Sequence, residues 1–250
     1  VLGLEPLMKE NQGTLFLAFQ KDEAGENGDV RDIVIYREDI PWEVGLSIKH
    51  NHAAVKHSRL SHVLDFGKEW YGIPCSKQYW DDIRPIFAML NREKELGTKW
   101  SELHDKEGDV YIPLLKAFLD EVNRAYEREP EVAIRMFEYL VGMKDYHKIV
   151  SNDSKKMTSI HTFNLHGTLG RSSREKVSAF EIPDASAPMK IRSMGFKQGS
   201  KTTVQIYMDN DWAFSFRIHS ASTRVQPSLK FDIQFISIPA SVLNVECNWK

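Results

Sequence analysis

The residues best suited to chemistry lie between positions 28 and 62. Asp29 and Asp32 precede an apolar run at 33–35, and a second apolar run ends at Lys49. A lysine that ends a buried strand costs free energy unless a partner uses its charge. Carboxylates at the start of the neighbouring strand supply that partner. Acids, a lysine and a divalent cation together predict a metal-dependent nuclease core built as strand, turn and strand.

The second strand divides its residues between two faces, because strand side chains alternate. One face carries Glu43, Gly45, Ser47 and Lys49, and the other carries Val44, Leu46 and Ile48. At about 3.3 Å per residue, Ser47 lies roughly 6.6 Å from Lys49, whereas Glu43 lies about 20 Å away. Glu43 is thus a poor second metal ligand unless it acts at the far end of a groove. It could instead orient the neighbouring strand or cap a turn.

The expected cofactor is Mg²⁺, which prefers oxygen ligands and keeps several waters, so one or two carboxylates and a substrate phosphate can hold it. The candidate catalytic residues are Asp32, Lys49, Asp29, Ser47 and Glu43, with Asp32, Asp29 and Glu43 as metal ligands. Lys49 would orient the attacking water and add positive charge at the transition state. The missing carboxylate could come from Asp65 or Glu69. A structural turn with an ion pair to Arg31 is the alternative for the two aspartates.

Two segments carry candidate contacts to DNA. The first follows Lys49 and has no acid before Asp65; we expect a helix at 52–64 that faces a phosphate backbone. The second is a loop between two apolar strands, where arginine and glutamine suit base edges in a major groove. The candidates are His50, Asn51, His52, Lys56, Arg59, Arg217, His219, Ser222, Arg224, Gln226 and Lys230. Ordinary solvated surface is the alternative for both segments.

Composition places the chain among ordinary globular proteins, with 42% hydrophobic and 27% charged residues. Basic charge is concentrated, since Lys and Arg exceed Asp and Glu by about 4 at 144–176 and by about 5 at 187–230. Such patches suit a polyanion such as double-stranded DNA. No run of membrane-spanning length and no secretory leader is seen, and only two cysteines are present, so we expect a bacterial cytoplasmic protein.

The pattern of elements predicts a mixed α and β fold, with a central mixed sheet flanked by helices. Strands are expected at 14–20 and at the two runs described above, and helices at 73–96, 110–128 and 131–143. Ser76 is the expected N-cap of the first helix, and Pro85 should interrupt it. After residue 146 the chain is predicted to be β-rich, with a hairpin turn at 209–211. We therefore expect a nuclease core with a helical insertion at 1–145 and a DNA-recognition region at 146–250.

Longer strings of residues carry a family resemblance. The chain is similar to the HaeIII-type restriction endonucleases over three strings of residues: the run from Gln20 to Asp32, the run from Glu43 to Ser61, and the run from Arg217 to Asp232. The resemblance implies a PD-(D/E)xK nuclease core that uses Mg²⁺ to cut double-stranded DNA at GGCC and acts beside a matching DNA methyltransferase. It assigns the metal-binding position to Asp32, with Asp29 competing, and the motif lysine to Lys49. Ser47 stands where the superfamily has a second carboxylate.

Three alternatives remain open from the sequence. A structure-guided or repair nuclease of the same superfamily would cut many sequences or damaged ends. A non-catalytic DNA-binding protein would keep the sheet without the metal site. This alternative is considered because Ser47 stands where a second carboxylate is usual. A two-fold-symmetric recognition site favours a homodimer, with a monomer that cuts the strands in turn as the other arrangement.

Overall fold

The computed structural model describes residues 1, 3–9, 13–20, 29–51, 54–172 and 181–249. Its fold is mixed α/β and rich in strands, as the sequence predicts. The chain divides into two compact units, and each contains one sheet. The first comprises Val1–Ala53, Val141–Ala187 and Pro239–Lys250, and the second comprises Ala54–Leu140 and Pro188–Ile238. Within the described ranges, no helix is long and apolar enough to cross a membrane.

The first unit contains a six-stranded mixed sheet with the order β1-β2-β3-β5-β6-β11. Its strands are β1 (Leu15–Phe19), β2 (Ile33–Arg37), β3 (Trp42–His50), β5 (Tyr146–Asn152), β6 (Met157–Phe163) and β11 (Leu243–Asn248). The strands β1, β2 and β3 form an antiparallel meander, and β5 then pairs with β3 in parallel. The sequence pattern predicted β1, β2 and β3, and β5, β6 and β11 lie in the region after residue 146 that was predicted to be β-rich.

The core of the first unit explains why β2 and β3 form here. Ile35 and Val44 stand opposite each other in the ladder, and both pack in a buried apolar cluster with Trp42. At the end of β3, burial does not follow the polar and apolar character of the two faces. Ile48 is 45% exposed, whereas the polar Ser47 is only 3% exposed. Ser47 is therefore covered although it is polar, whereas Glu43 on the same face stays exposed.

The second unit contains a five-stranded antiparallel sheet with the order β4-β10-β9-β8-β7. Its strands are β4 (Arg59–Ser61), β7 (Ile191–Phe196), β8 (Thr203–Met208), β9 (Ala213–His219) and β10 (Ser228–Ser237). Phe216 and Phe231 alternate with polar neighbours and pack against Trp70 and Phe118 from the helices of this unit. The turn at 209–211 is confirmed, because Asn210 and Asp211 both adopt the positive φ that a tight hairpin requires.

Among the described residues, the α-helices fall in the second unit, except for the last residue of α4. They are α1 (Phe66–Tyr71), α2 (Lys77–Glu95), α3 (Ile112–Arg128) and α4 (Val132–Val141), and a π-helical turn, Glu107–Tyr111, leads into α3. Ser76 is the N-cap of α2, as predicted, and its hydroxyl accepts a hydrogen bond from the Tyr79 amide at 3.2 Å. The interruption expected at Pro85 does not occur, since α2 continues through it.

The helix expected at 52–64 is wrong wherever the structure describes that segment. Residues 59–61 form β4, which pairs with β10 through Leu60 opposite Leu229 and Arg59 opposite Lys230. Leu60 is fully buried by this pairing. Pairing with β10 provides hydrogen-bond partners for the backbone N–H and C=O groups of β4, which a helix would pair internally. Tertiary contacts therefore outweigh the local sequence pattern that favours a helix.

The compact units do not follow the boundary expected at residue 145. Strands β5 and β6 lie beyond that position, yet they complete the sheet of β2 and β3. The segment from 54 to 140 leaves the first unit, and the chain returns to it at Val141. A parallel pair in one sheet needs a crossover connection, which here is long enough to hold most of the helices. The described residues between 167 and 188 form no helix or strand.

Both cysteines are free thiols. Burial raises the pKa of the Cys75 thiol well above its usual range, and the nearby Asp65 carboxylate acts in the same direction. Cys247 is exposed on the edge strand β11.

Candidate active site

The structure brings Asp32 and Lys49 together at one place on the mixed sheet. Asp32 lies just before β2, and its backbone N–H donates to the carbonyl of Leu46 at 2.8 Å. One oxygen of its carboxylate accepts the Ile48 amide at 2.5 Å and lies 3.5 Å from the Lys49 ammonium nitrogen. The Asp32 side chain is 45% exposed. It therefore keeps room for further ligands beside the lysine.

The other two predicted acids bind Arg31 instead. The guanidinium donates two hydrogen bonds of 2.7 Å to the two oxygens of Asp29 and a third of 2.8 Å to Glu43. Arg31 is 6% exposed. Burial opposes ionisation of Asp29, but the hydrogen bonds from Arg31 outweigh it and lower the pKa of the carboxyl group. Burial also works against the Arg31 charge, and the bonds to the two acids raise its pKa.

The side chains near Asp32 determine whether Mg²⁺ could bind at this site. Among the residues that the structure describes, no group of three or more His, Cys, Asp or Glu side chains could together hold a metal ion. Mg²⁺ does not need such a cage, because it retains waters and binds through one or two carboxylates plus substrate phosphates. The exposed Asp32 carboxylate meets that lower requirement. Asp29 and Glu43 are less suitable ligands for Mg²⁺, since their carboxylates already bind the Arg31 guanidinium.

Neither acid considered as a replacement ligand has a free carboxylate. Asp65 caps α1 by accepting the Lys68 amide at 3.0 Å, and it also accepts the Cys75 amide at 3.0 Å. Glu69 accepts the Tyr139 hydroxyl at 2.5 Å. Both interactions belong to the second unit.

Sequence reasoning missed Lys148, a buried lysine on β5. In the parallel ladder it stands opposite Ser47, and on its other side it faces His161 of β6. Lys148 is 4% exposed; burial, with the nearby charge of Lys49, lowers its pKa to about 8. Burial and the charge of Lys148 lower the pKa of His161 in turn. The available signal was a lysine inside a predicted strand region, between Tyr146 and the apolar pair at 149–150.

The residues directly after Lys49 join β3 to the β5–β6 turn. The His50 ring lies 3.1 Å from the Ser151 hydroxyl. Asn51 donates to the Asp153 carboxylate at 3.0 Å and accepts the Asp153 amide at 2.8 Å, with φ at +58°. These contacts give both side chains a structural role at the end of the strand. His52, the third candidate here, lies outside the described residues.

Lys56 and Arg59 have different surroundings in the second unit. The Lys56 ammonium lies 3.5 Å above the Tyr139 ring centre and donates to the Tyr139 carbonyl at 3.1 Å. Burial lowers the pKa of Lys56 to about 8, although the Glu69 charge opposes the shift. Arg59 is exposed on β4 and reaches the Ser228 hydroxyl at 3.4 Å. Arg59 therefore presents its charge to solvent, and Lys56 is turned towards Tyr139.

The predicted recognition loop joins β9 and β10. Arg59, Lys230 and His219 are consecutive partners across β4, β10 and β9, so they form a basic row on one face of the sheet. Arg217 is 59% exposed and pairs with Asp232 at 3.2 Å. The other candidates, Ser222, Arg224 and Gln226, lie in the loop itself. Backbone bonds fix this loop to the segment after α2, from Trp100 to Thr223 at 2.8 Å and from Val225 to Thr98 at 3.0 Å.

A cleft of about 410 Å³ opens beside Arg31 within the first unit. Its floor is held by Asp145, whose buried carboxylate accepts three backbone amides of residues 165–168, at 2.6–2.9 Å, and the Thr168 hydroxyl at 2.7 Å. Lys144 at the rim lies 3.6 Å from Glu43.

Asp145→Ala is expected to destabilise the protein by on the order of 2–4 kcal/mol, because four donors lose one shared acceptor in a buried position. Thermal unfolding should show a lower midpoint than the wild type. Glu38→Ala, at an exposed position in the β2–β3 turn, serves as the control and should leave the midpoint unchanged. Equal midpoints for the two variants would contradict the anchoring role of Asp145.

Comparison with known proteins identifies the class. A family model described as HaeIII restriction endonuclease matches residues 1–239. The chain belongs to this family of restriction endonucleases, as the sequence motifs predicted. It is 49% identical over 251 residues to the "Type II restriction enzyme HaeIII" of Haemophilus aegyptius, an alignment that covers 100% of this chain and 79% of that enzyme. No solved structure matches the chain.

Proposed function

We propose that the protein is a type II restriction endonuclease whose catalytic centre is Asp32 and Lys49. The observation that carries the proposal is their meeting at 3.5 Å in a chain of this family, with the carboxylate oriented by the Ile48 amide. The reaction is Mg²⁺-dependent hydrolysis of double-stranded DNA. Water attacks phosphorus, the bond to the 3′ oxygen breaks, and the products carry a 5′-phosphate and a 3′-hydroxyl.

Each residue of the centre has a defined task. Mg²⁺, when bound, lowers the pKa of a water and offsets charge on the phosphate oxygens. Asp32 would supply the carboxylate that holds the ion, and the Ile48 N–H, which donates to this carboxylate, orients it. Lys49 orients the attacking water and stabilises the charge that builds up on the phosphate. Since Asp29 and Glu43 are both bonded to Arg31, Asp32 is the preferred metal ligand of the three acids.

The topology supports a PD-(D/E)xK core. Three antiparallel strands, β1 to β3, are followed by a crossover and a parallel β5, and the acid and lysine sit at the start of β2 and the end of β3. Ser47 replaces the usual second carboxylate, so this site depends on fewer protein ligands than the superfamily pattern. Substrate phosphate and water complete the coordination in this proposal.

The proposed recognition sequence is GGCC, as the resemblance to the HaeIII-type restriction endonucleases implies, and the family match supports this assignment. The basic row of Arg59, Lys230 and His219 offers positive charge to the phosphate backbone. Arg217, Ser222, Arg224 and Gln226 are proposed to contact base edges or the backbone around them. A matching DNA methyltransferase, action in the bacterial cytoplasm and a homodimer on a two-fold site complete the proposal.

Digestion of plasmid DNA with and without Mg²⁺, followed by sequencing of the ends, tests this function. Discrete fragments that require Mg²⁺ and share GGCC support it. Cuts at many sequences or at damaged ends would identify a structure-guided or repair nuclease instead. Binding with no cutting would identify a non-catalytic DNA-binding protein, the candidate that Ser47 favours.

Arg59→Ala is expected to weaken binding of GGCC DNA and of unrelated DNA by the same factor, because a phosphate contact carries no base information. The slope of log affinity against log salt should become shallower by about 1. Fluorescence anisotropy at several salt concentrations measures both quantities. Lys116→Ala, an exposed lysine on α3, is the matched control and should change neither. A loss confined to GGCC DNA would contradict the backbone role.

A further inference from the structure

We propose that Arg31 is a positioning residue of the nuclease centre. It fixes the chain before β2 onto β3, so that Asp32 meets Lys49. The inference rests on the proposed catalytic roles of those two residues. It also assigns Asp29 and Glu43 as the acids that hold Arg31, not as metal ligands. We call Arg31, Asp29, Glu43 and Gly45 the Arg31 clamp.

The clamp joins two parts of the chain that are separate in sequence. Arg31 binds Asp29 through both carboxylate oxygens at 2.7 Å, in the paired geometry that makes arginine–carboxylate contacts strong and directional. The Arg31 amide also donates to Asp29 at 3.2 Å. The remaining guanidinium nitrogen binds Glu43 of β3 at 2.8 Å. The segment before β2 is thereby tied to the strand that carries Lys49.

Gly45 makes room for this arrangement. A Cβ atom at position 45 would lie 1.9 Å from Cδ of Arg31 and 2.6 Å from its Cγ. These are mid-chain atoms of a side chain whose far end is held by two carboxylates. The side chain therefore cannot swing aside without breaking its bonds. Glycine at 45 is explained by the passage of Arg31 across β3.

The clamp sets the position of the catalytic acid because Asp32 is the next residue. Its amide donates to Leu46, the neighbour of Gly45, and its carboxylate accepts from Ile48. Val34 stands opposite Gly45 and Ile33 opposite Leu46, so the same register carries both the clamp and the catalytic pair. A shift of Arg31 moves Asp32 relative to Lys49, and misplacement by about 1 Å can cost on the order of 100-fold in rate.

Four variants test the proposal: Arg31→Met, Gly45→Ala, the double variant, and Gly195→Ala. Gly195 is the matched control, because it lies on β7 with nothing within 4 Å of an added Cβ. Arg31→Met and Gly45→Ala should each lower kcat on the order of 10- to 100-fold and raise the Mg²⁺ concentration for half-maximal cleavage. The KM for DNA and metal-free DNA affinity should stay unchanged. The double variant should be no slower than Arg31→Met, since Gly45→Ala acts by displacing that side chain.

The results separate the clamp from the catalytic proposal. If both single variants keep the wild-type kcat and Mg²⁺ dependence while Asp32→Asn is inactive, the clamp proposal is wrong. The catalytic roles of Asp32 and Lys49 would still be supported. Additive losses in the double variant would also overturn the clamp, because Gly45 would then act independently of Arg31. An active Asp32→Asn would overturn the catalytic role proposed for Asp32, on which the clamp depends. If Arg31→Met fails to fold, Arg31→Lys replaces it; Lys keeps the charge without the paired geometry and should show a smaller loss of the same kind.

Discussion

Asp32→Asn and Lys49→Met are each expected to slow cleavage of GGCC plasmid DNA on the order of 10²- to 10³-fold. Loss of one preorganised charge at a transition state has an effect of this size. Asn keeps the shape of Asp32 and an acceptor for the Ile48 amide, but it removes the charge that holds the cation. Met removes the ammonium group, which lies 3.5 Å from Asp32. Single-turnover rates at saturating enzyme measure the chemical step directly.

DNA affinity distinguishes a chemical role from a structural one. Both variants should bind GGCC DNA with affinity close to that of the wild type, and their unfolding midpoints should change little because the Asp32–Lys49 ion pair is partly open to solvent, where such pairs contribute little stability. Asp29→Asn is the informative comparison, since it lies three residues away and binds Arg31 instead. It should lose less activity than Asp32→Asn. If Asp29→Asn were the inactive variant and Asp32→Asn active, the assignment of the metal ligand would be reversed.

The features that the sequence could predict are those set by residues close together in the chain. Strands β2 and β3 follow apolar runs, Ser76 caps α2 as its type and position require, and two positive-φ residues close the β8–β9 hairpin. The acid before β2 and the lysine at the end of β3 are also local features. Antiparallel pairing of adjacent strands was enough to bring them together.

Long-range pairing explains what the sequence could not predict. Strand β4 forms because β10, some 170 residues further along the chain, is available beside it. The first unit is completed by β5, β6 and β11 after the chain has left it and returned. The clamp depends on the space at Gly45, which appears only once β2 and β3 are paired. Each of these features is set by a partner far along the chain or across a ladder.

Pro85 shows how packing can override a local signal. Proline in a helix removes a hydrogen bond and costs about 3 kcal/mol in an isolated helix. The helix α2 continues because Ile83, Phe87 and Leu90 are buried on one face, and α2 packs along α3. Burial of a large apolar side chain contributes about 1.5–3 kcal/mol, so three such residues outweigh one proline.

Lys148→Met is expected to stabilise the protein and to weaken cleavage. The folded-state pKa of Lys148 is lowered from 10.5 to about 8, so the unfolded chain holds its proton more tightly. Below pH 8 the folded protein carries a buried charge, and removing it should raise the free energy of unfolding by on the order of 1–3 kcal/mol. Between pH 8 and 10.5 the folded lysine is neutral and the unfolded one is charged. The advantage of Met should therefore shrink across that interval and vanish above it.

Denaturant unfolding of wild type and variant at pH 7, 9 and 10.5 measures this difference, and subtraction removes the similar contribution of Lys56. Lys155→Met, in the exposed turn between β5 and β6, is the control and should show no pH-dependent gain. A destabilised Lys148→Met would show that the buried charge is fully compensated. A buried lysine beside Ser47 and Lys49 that costs stability is typical of a functional site, where charge is kept for the reaction at the expense of the fold. Higher stability together with slower cleavage would place Lys148 in the same centre as Asp32 and Lys49.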